Sequence, residues 1–407
     1  MRHGGLLLRA VATPSRRYYA QRAASTAATS GSGMTVSRHA VATEAKEVFK
    51  LMFGTFTMLL GGGMGVGYAV ENYKRMHPPM PPGQLVEITV QGHQSLVHAQ
   101  VRGGGRVPVK GTVLLDGSLG ETSFDWDKVM AALPDDTQVI AIDRPGLAFS
   151  APSPFARTSD MISKEYQQVL TQLQVTGPVV LVGHGTGGYH MRQLAADLAS
   201  SSDVSVAGLV LVDAMHESVN PALKAISPHV QEALAARRQN AFTLLKMSHV
   251  GLVRLVHTLQ SKRNAARFST TSMPFIDYFT PSPPHRRGVV HENDAVDAIE
   301  EALTTSPLPI LQVPIVVLSH GNRTMFESMK MEPGITDEIV DDMEAQWANG
   351  QTALTKLGAT CIHHILKDAG HDIPHEKPDA VAKAIVAVLD DAHGDATNGL
   401  QSLKVME

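Results

Sequence analysis

The feature that most constrains this chain is an apolar run that ends in a glycine-rich turn. Residues 179–182 read Val-Val-Leu-Val, and Gly183, Gly185 and Gly187 follow at alternate positions before a stretch with helical spacing. A continuous apolar run predicts a strand that is buried on both faces. Glycine supplies the positive φ and the close backbone approach that a sharp strand-to-helix turn requires. The pattern therefore predicts a strand, a tight turn and a helix within a layered α/β protein.

Short apolar runs and helical stretches alternate through the rest of the body. The runs Leu85–Gln91 and Ser95–Val101 predict an opening hairpin. Further strands are predicted at Thr112–Leu115, Gln138–Ile142, Val179–Val182, Leu209–Val212, Ile315–Leu318 and Cys361–Ile365. The predicted helices include Asp160–Leu173, Met191–Leu198, Pro221–Leu244 and Asn293–Thr304. Such strands joined by helices predict a mostly parallel eight-stranded sheet with helices on both faces, and reactive groups at the carboxyl ends of its strands.

The interval between the sixth and seventh predicted strands is too long for a simple connection. It covers residues 214–313 and contains helical patterns of its own, which predicts an inserted lid. The predicted organisation begins with a transit peptide at 1–43, a transmembrane segment at 44–77 and a Pro-rich linker at 78–84. An α/β core at 85–213 and 314–390 follows around the lid at 214–313, and a polar tail covers 391–407.

The amino-terminal 43 residues are rich in arginine, serine, threonine and alanine and contain no Asp or Glu. A cationic segment without acidic residues is typical of a mitochondrial transit peptide, and a disordered basic tail is the alternative. We therefore predict a mitochondrial protein.

An uncharged stretch follows the leader. Residues 51–70 carry no charged side chain, and a helix of this length spans roughly 30 Å, the thickness of one hydrocarbon core. We predict a single-pass span in the inner membrane; a buried or interfacial helix is the alternative. Gly61 and Gly65, like Gly63 and Gly67, have the spacing that lets a partner helix approach. Such a partner could belong to an inner-membrane protein complex, and basic residues on both sides of the span leave the side facing the body open.

Composition excludes several classes of protein. Lys and Arg number 35 against 39 Asp and Glu, so there is no basic footprint for nucleic acid. The single cysteine, Cys361, excludes a disulfide framework and a cysteine-rich zinc site. Pro374 keeps His371 and His375 off one helical face, so we predict no metal site there. The run at 103–105 lacks the Lys-Ser/Thr of a phosphate loop, and we expect no cofactor.

Several separate motifs resemble the alpha/beta-hydrolase family over residues 82–389. The frame Gly183, Gly185 and Gly187 is similar to the G-x-S-x-G nucleophile elbow of that family. Other similar segments are Asp116–Ser118 with Ser123–Trp126, Asp143–Ser150 with Ala148 in place of the usual glycine, Leu209–Ala214, and Ala369–His371 followed by Pro374 and Glu376–Pro378. The likeness within the family is to membrane-anchored members with a helical lid. It implies the alpha/beta-hydrolase fold and a hydrolase-type site.

The resemblance also implies roles for individual residues. In the family order Ser, Asp or Glu, His, the base would be His371 and the acid Asp213, with a helix cap as the other interpretation of Asp213. The backbone N–H groups of Ser118 and Thr186 would stabilise an oxyanion. The nucleophile position is Gly185, which has no side chain. We therefore predict a pseudoenzyme rather than a serine hydrolase.

Three functions follow as hypotheses. The first is a degenerate hydrolase that binds a ligand or a protein partner, and the second is an accessory subunit of an inner-membrane complex. The third is an active hydrolase of an ester or similar small substrate, or a catalyst that uses only the base His371 with Asp213. Thr186 is a weak alternative nucleophile, because its side chain is expected to point toward the following helix. His184 is expected to pack or hydrogen-bond rather than to catalyse.

Overall fold

The computed structural model describes residues 38–103, 109–201, 203–395 and 399–403. Most of the predicted transit peptide, and parts of the predicted polar tail, lie outside the described residues. The described strands are β1 (Gln84–Val90), β2 (His93–Arg102), β3 (Gly111–Asp116), β4 (Thr137–Ile142), β5 (Gly177–His184), β6 (Val204–Val212), β7 (Ile315–His320) and β8 (Cys361–Leu366).

The described helices begin ahead of the sheet and continue to the end of the body. They are α1 (Arg38–Met76), α2 (Asp127–Ala132), α3 (Ser159–Gln172), α4 (Gly187–Leu198), α5 (Val219–Ile226), α6 (Pro228–Ser248), α7 (Leu252–Leu259), α8 (Ser261–Arg267), α9 (Met273–Phe279), α10 (Pro283–Thr305), α11 (Asp337–Leu354), α12 (Ile373–Glu376), α13 (Pro378–Ala392) and α14 (Leu400–Leu403), with 3-10 turns at Ser123–Trp126 and Glu327–Met331.

The strands form one sheet in the order β1-β2-β4-β3-β5-β6-β7-β8. The pairs β1–β2 and β2–β4 are antiparallel, and the remaining pairs are parallel. This confirms the predicted alpha/beta-hydrolase fold. Helices α5 to α10 all lie between β6 and β7 in the chain.

Two apolar cores lie on opposite faces of the sheet because side chains alternate along a strand. Val179 and Leu181 of β5 belong to the core that includes Leu194 of α4. Their neighbours Val180 and Val182 belong to the core that includes Ile385 of α13. Both faces of β5 are therefore covered, and this is why its sequence is apolar at every position of the run.

The predicted helix over Pro221–Leu244 is wrong in one respect, since the structure divides it into α5 and α6. Ser227 between them is extended, with φ −162° and ψ 160°, and its side chain accepts a hydrogen bond from the Val230 N–H. Pro228, at the start of α6, lacks an N–H and disfavours a helical residue before it. The break follows from this Ser-Pro pair.

Within the described residues, one helix segment, Val48–Met76, is long and apolar enough to cross a membrane by length and composition. The chain divides into two compact units inside α1, between Gly62 and Gly63. In the second unit, Gly67 lies against the Val250 carbonyl, where an added Cβ would collide with the backbone. One turn later, Glu71 accepts a hydrogen bond from Arg254 at 2.8 Å. The final turns of α1 are thereby fixed to the segment that begins α7.

Candidate active site

A sharp turn joins β5 to α4 at the carboxyl edge of the sheet. Gly185 adopts φ +52° at this turn, a conformation that costs glycine little and other residues more. A Cβ on Gly183 would lie 2.7 Å from the Gly187 carbonyl carbon, so the strand and the helix can approach only without a side chain there. The Met215 N–H donates to the Gly185 carbonyl at 2.8 Å, which fixes the turn beside the end of β6. The local geometry is that of a nucleophile elbow.

The place of the elbow side chain is filled by Ser118. A Cβ added to Gly185 would lie 2.6 Å from the Ser118 Cβ and would also meet its hydroxyl oxygen. Rotation of the Ser118 side chain can move the hydroxyl but not the Cβ. Position 185 therefore lacks both the nucleophile and the space for one.

Asp213 and His371 lie together as the motifs predict. Asp213 follows β6 with φ +42° and is completely buried. The His371 Nδ1 is 2.5 Å from Asp213 Oδ2. Burial alone would raise the pKa of Asp213, but hydrogen bonds from His320 and His371 hold it well below its usual range. An ionised carboxylate only accepts hydrogen bonds, so both Nδ1 atoms carry a proton and donate.

His320 is a second histidine on the same carboxylate. It lies at the end of β7, with Nδ1 2.6 Å from Asp213 Oδ2 and Nε2 3.0 Å from Glu344 Oε2. Burial would lower the pKa of His320, but hydrogen bonds to the two carboxylates raise it to about 9. His320 is therefore a cation at neutral pH and shares the Asp213 carboxylate with His371.

One of the two predicted oxyanion donors is already engaged. The Ser118 N–H donates to Glu121 Oε2 at 2.7 Å, and His184 Nδ1 is 2.7 Å from the same oxygen. Burial would raise the pKa of Glu121, but the charge of His184 holds it well below its usual range. An ionised carboxylate at this N–H opposes the development of a second negative charge nearby.

His184 and Glu121 form an ion pair behind the elbow. Burial would lower the pKa of His184, but the charge of Glu121 and their hydrogen bond raise it to about 9. The second ring nitrogen, Nε2, donates to the His371 carbonyl at 2.9 Å. His184 thus links the loop after β3 to the loop that carries His371, as a structural hydrogen-bond donor.

The site opens into a cavity of about 280 Å³. Its floor includes Ser118, Gly185, Thr186 and His371. The apolar part of its wall consists of Leu119, Met215, Leu223, Leu234, Val296, Met325, Phe326 and Trp347. An apolar cavity with a few polar groups is the usual form of a small-molecule site.

Arg144 fixes the loop below the cavity to the lid. Its guanidinium, with 1% of the side chain exposed, pairs with Asp116 and donates to the Gly117 and Ser118 carbonyls at 2.8 and 2.7 Å. From α10 of the lid, Glu292 accepts from Arg144 at 2.6 Å. One buried cation therefore holds the strand end, the Ser118 loop and the lid together.

Asp213, His320 and His371 are also a possible set of metal ligands, since their ligand atoms lie within 4.8 Å of one another. However, both Nδ1 atoms donate a hydrogen bond to the same Asp213 oxygen. A metal ion would require these protons to leave, because a metal-bound histidine nitrogen is deprotonated. The arrangement fits a hydrogen-bonded network better than a metal centre.

Three functional residues were missed by sequence reasoning. His320 is the last residue of β7, and its sequence context contains no motif that points to Asp213. Trp347 donates from Nε1 to Asp213 Oδ1 at 3.0 Å, and nothing in its sequence context indicates this contact. Glu121 had a usable signal, because a carboxylate three residues after Ser118 can accept from its backbone N–H.

The fold defines a protein of the alpha/beta-hydrolase class, in which Asp213 and His371 are hydrogen-bonded and the turn after β5 carries Gly185. A model of the alpha/beta hydrolase family matches residues 96–384. The chain belongs to that family.

Two curated relatives match parts of the chain. The uncharacterized protein C23C11.06c of Schizosaccharomyces pombe is 32% identical over 161 residues, which cover 33% of this chain and 28% of that protein. The uncharacterized protein YqjL of Bacillus subtilis is 28% identical over 102 residues, covering 25% and 39% of the two chains. This chain thus spans less than half the length of either relative.

Solved structures share the fold. A thermophilic esterase from Thermogutta terrifontis, solved with malate bound, has a TM-score of 0.51 and 22% identity, covering 76% of this chain and 100% of the esterase. ALR0039, a provisionally named alpha/beta hydrolase of Nostoc sp. PCC 7120, has a TM-score of 0.54 and 15% identity, covering 76% and 98%. At these identities the likeness shows the architecture and not the activity.

The two charged histidines predict a loss of stability at alkaline pH. His184 and His320 have a folded pKa of about 9 against an ordinary value of 6.5. Their stabilisation is fully present below pH 6.5 and is lost as the pH rises through 9. We expect the free energy of unfolding, from urea titrations, to fall between these pH values. His320→Gln should lower the stability at pH 6.5 and flatten this decline; an unchanged pH dependence in the variant would contradict the assignment.

Proposed function

We propose that this chain is a membrane-tethered mitochondrial alpha/beta-hydrolase-like protein that binds a ligand or partner at its former active site without forming an acyl-enzyme. The proposal depends mainly on what occupies position 185 and the space beside it. Glycine stands there, and Ser118 fills the space that an elbow side chain would need. Loss of the triad nucleophile of a serine protease lowers turnover by roughly 10⁶.

The surroundings of the elbow support the same proposal. The Ser118 N–H that an oxyanion would need donates to the Glu121 carboxylate instead. No described residue forms a hydrogen bond with the Ser118 hydroxyl, so the contacts provide no general base to activate it. The apolar cavity remains, and it is large enough for a small ligand to be held beside His371.

A second candidate is a catalyst that uses only a base. It is favoured by the short His371–Asp213 hydrogen bond and by the 29% exposure of the His371 side chain. A histidine oriented in this way can deprotonate a water molecule or an acidic substrate.

Ester turnover tests both candidates. The full chain and His371→Ala are incubated with p-nitrophenyl octanoate, and release of p-nitrophenolate is followed. We expect equal rates, close to the buffer rate, because position 185 carries no nucleophile. Release that depends on His371 without a covalent adduct would favour the base-only catalyst, and release through an acyl-enzyme would overturn the proposal.

The membrane tether rests on α1. Its apolar side chains are exposed over much of the segment that could cross a membrane; examples are Leu59 at 72% and Leu60 at 50%. Exposed side chains of this kind need a lipid or protein environment. The arginine-rich leader supports import into mitochondria, and the open space around Gly61 and Gly65 supports close approach of a partner helix.

Alkaline carbonate extraction of mitochondrial membranes tests the tether. We expect the full chain to stay with the membranes. Leu59→Arg with Leu60→Arg should release it, since each arginine near the centre of a span costs about 3 kcal/mol. Met76→Arg, at the end of the helix, is the matched control and should behave as the unmodified chain. Release of the unmodified chain by carbonate would contradict a spanning helix.

An accessory role in an inner-membrane complex is the partner-binding form of the proposal. Purification in mild detergent tests it by apparent mass. Co-purification of a stoichiometric complex would support this form. A species with the mass of one chain and its bound detergent would favour ligand binding.

A further inference from the structure

The lid side of the cavity carries more cations than anions. Lys224 of α5 and Arg237 and Arg238 of α6 line the cavity. Lys224 and Arg238 share one carboxylate, since Asp297 accepts from Lys224 at 3.2 Å and from Arg238 at 2.7 Å. The residues that line the cavity thus include three cations and no Asp or Glu, while Asp297, Glu300 and Glu332 lie nearby.

Arg237 is the cation without a carboxylate contact. Its Nη2 donates to the Ser328 hydroxyl at 2.5 Å, and no described carboxylate lies within ion-pair distance of it. Burial lowers its pKa, which the charge of Glu332 only partly opposes. Arg237 is an exposed residue with unused donors, and such a guanidinium is suited to a planar anionic group.

The floor of the cavity offers less to an anion. The floor residues Ser118, Gly185, Thr186 and His371 include no lysine or arginine. The Ser118 N–H already donates to Glu121, which is paired with His184, so this N–H is not available to a negative ligand group. Between floor and lid the wall is apolar, with Leu223, Phe326 and Trp347 among its residues. A bound molecule with one charged end would therefore place that end at the lid and its apolar part toward Gly185.

We infer that the cavity binds an amphiphile with an apolar body and one terminal anionic group, a carboxylate or a phosphate, which Arg237 holds. The inference rests on the proposed function and specifies its ligand class. A neutral molecule of the same size gains the apolar contacts but not the charge-assisted hydrogen bonds. Charge at one end is thus the property that the site selects.

Binding to the full chain in detergent micelles tests this, with octanoate, octyl phosphate and octanol as probes. Isothermal titration calorimetry gives the affinity, and quenching of Trp347 fluorescence reports occupancy of this cavity. We expect both anions to bind at least about tenfold more tightly than octanol, as expected for hydrogen bonds to a charged group. Added KCl should weaken the anions and leave octanol unchanged. Whichever of octanoate and octyl phosphate binds more tightly shows whether the site prefers a carboxylate or a phosphate.

Arg237→Gln should remove the preference, weakening the anions about tenfold without affecting octanol. Arg287→Gln, which changes an exposed lid arginine outside the cavity lining, is the matched control and should bind as the unmodified chain.

Octanol binding as tightly as octanoate would overturn the inference and leave the proposed binding function intact. Binding of none of the three probes, or anion binding unaffected by Arg237→Gln, would also overturn it. Ester turnover through an acyl-enzyme would instead contradict the proposed function, and it would do so whether or not the cavity prefers anions.

Discussion

Gly185→Ser is expected to lower the free energy of unfolding by roughly 2–5 kcal/mol. About 1–2 kcal/mol of this comes from a non-glycine residue at φ +52°. A further 1–3 kcal/mol, roughly, comes from overpacking, because the new Cβ would lie 2.6 Å from the Ser118 Cβ. Urea unfolding of the purified chain measures the sum.

Two further variants separate the strain from the collision. Gly92 has φ +79° and open space around an added Cβ, so Gly92→Ser should show the strain alone. Ser118→Gly, combined with Gly185→Ser, removes the atom that collides and should recover roughly 1–3 kcal/mol as a non-additive coupling. Additive losses in the paired variant would show that Ser118 does not fill the elbow position.

Arg144→Met is expected to cost roughly 3–5 kcal/mol, the range found when one partner of a buried ion pair is removed. The substitution leaves Asp116 and Glu292 buried without their shared cation. It also removes the hydrogen bonds by which Arg144 joins the Ser118 carbonyl to Glu292 of the lid. Thermal unfolding should therefore begin at a lower temperature.

The matched control is an exposed ion pair. Arg323 and Asp341 are 55% and 69% exposed in their side chains, and Arg323→Met should change stability by less than about 1 kcal/mol. Equal effects of the two arginine substitutions would contradict a clamping role for Arg144.

The sheet could be predicted because its strands are short, apolar and buried on both faces. The run at 179–182 identifies β5, and the glycines after it identify the turn. The break between α5 and α6 was missed because helical spacing continues across Ser227, although Pro228 marks it. Periodicity therefore predicted the elements better than their boundaries.

The site was predictable only in part. Asp213 and His371 were named from strand-end positions and from the family resemblance, and the structure places them 2.5 Å apart. His320 could not be assigned to this pair from sequence, because its contact with Asp213 depends on β7 lying beside β6 across 107 positions of chain. The position of the Ser118 side chain depends on the conformation of the loop after β3, which the spacing of residues in the sequence does not predict.

Labelling with a serine-directed fluorophosphonate, followed by mapping of any adduct, tests the central claim that the elbow has lost its nucleophile. The unmodified chain is compared with the paired variant, Gly185→Ser with Ser118→Gly, and with His371→Ala. We predict no adduct in the cavity of the unmodified chain. The paired variant should gain one at position 185, slowly, because Glu121 still accepts from the N–H at position 118. An adduct on Ser118 or Thr186 of the unmodified chain that disappears in His371→Ala would contradict the account.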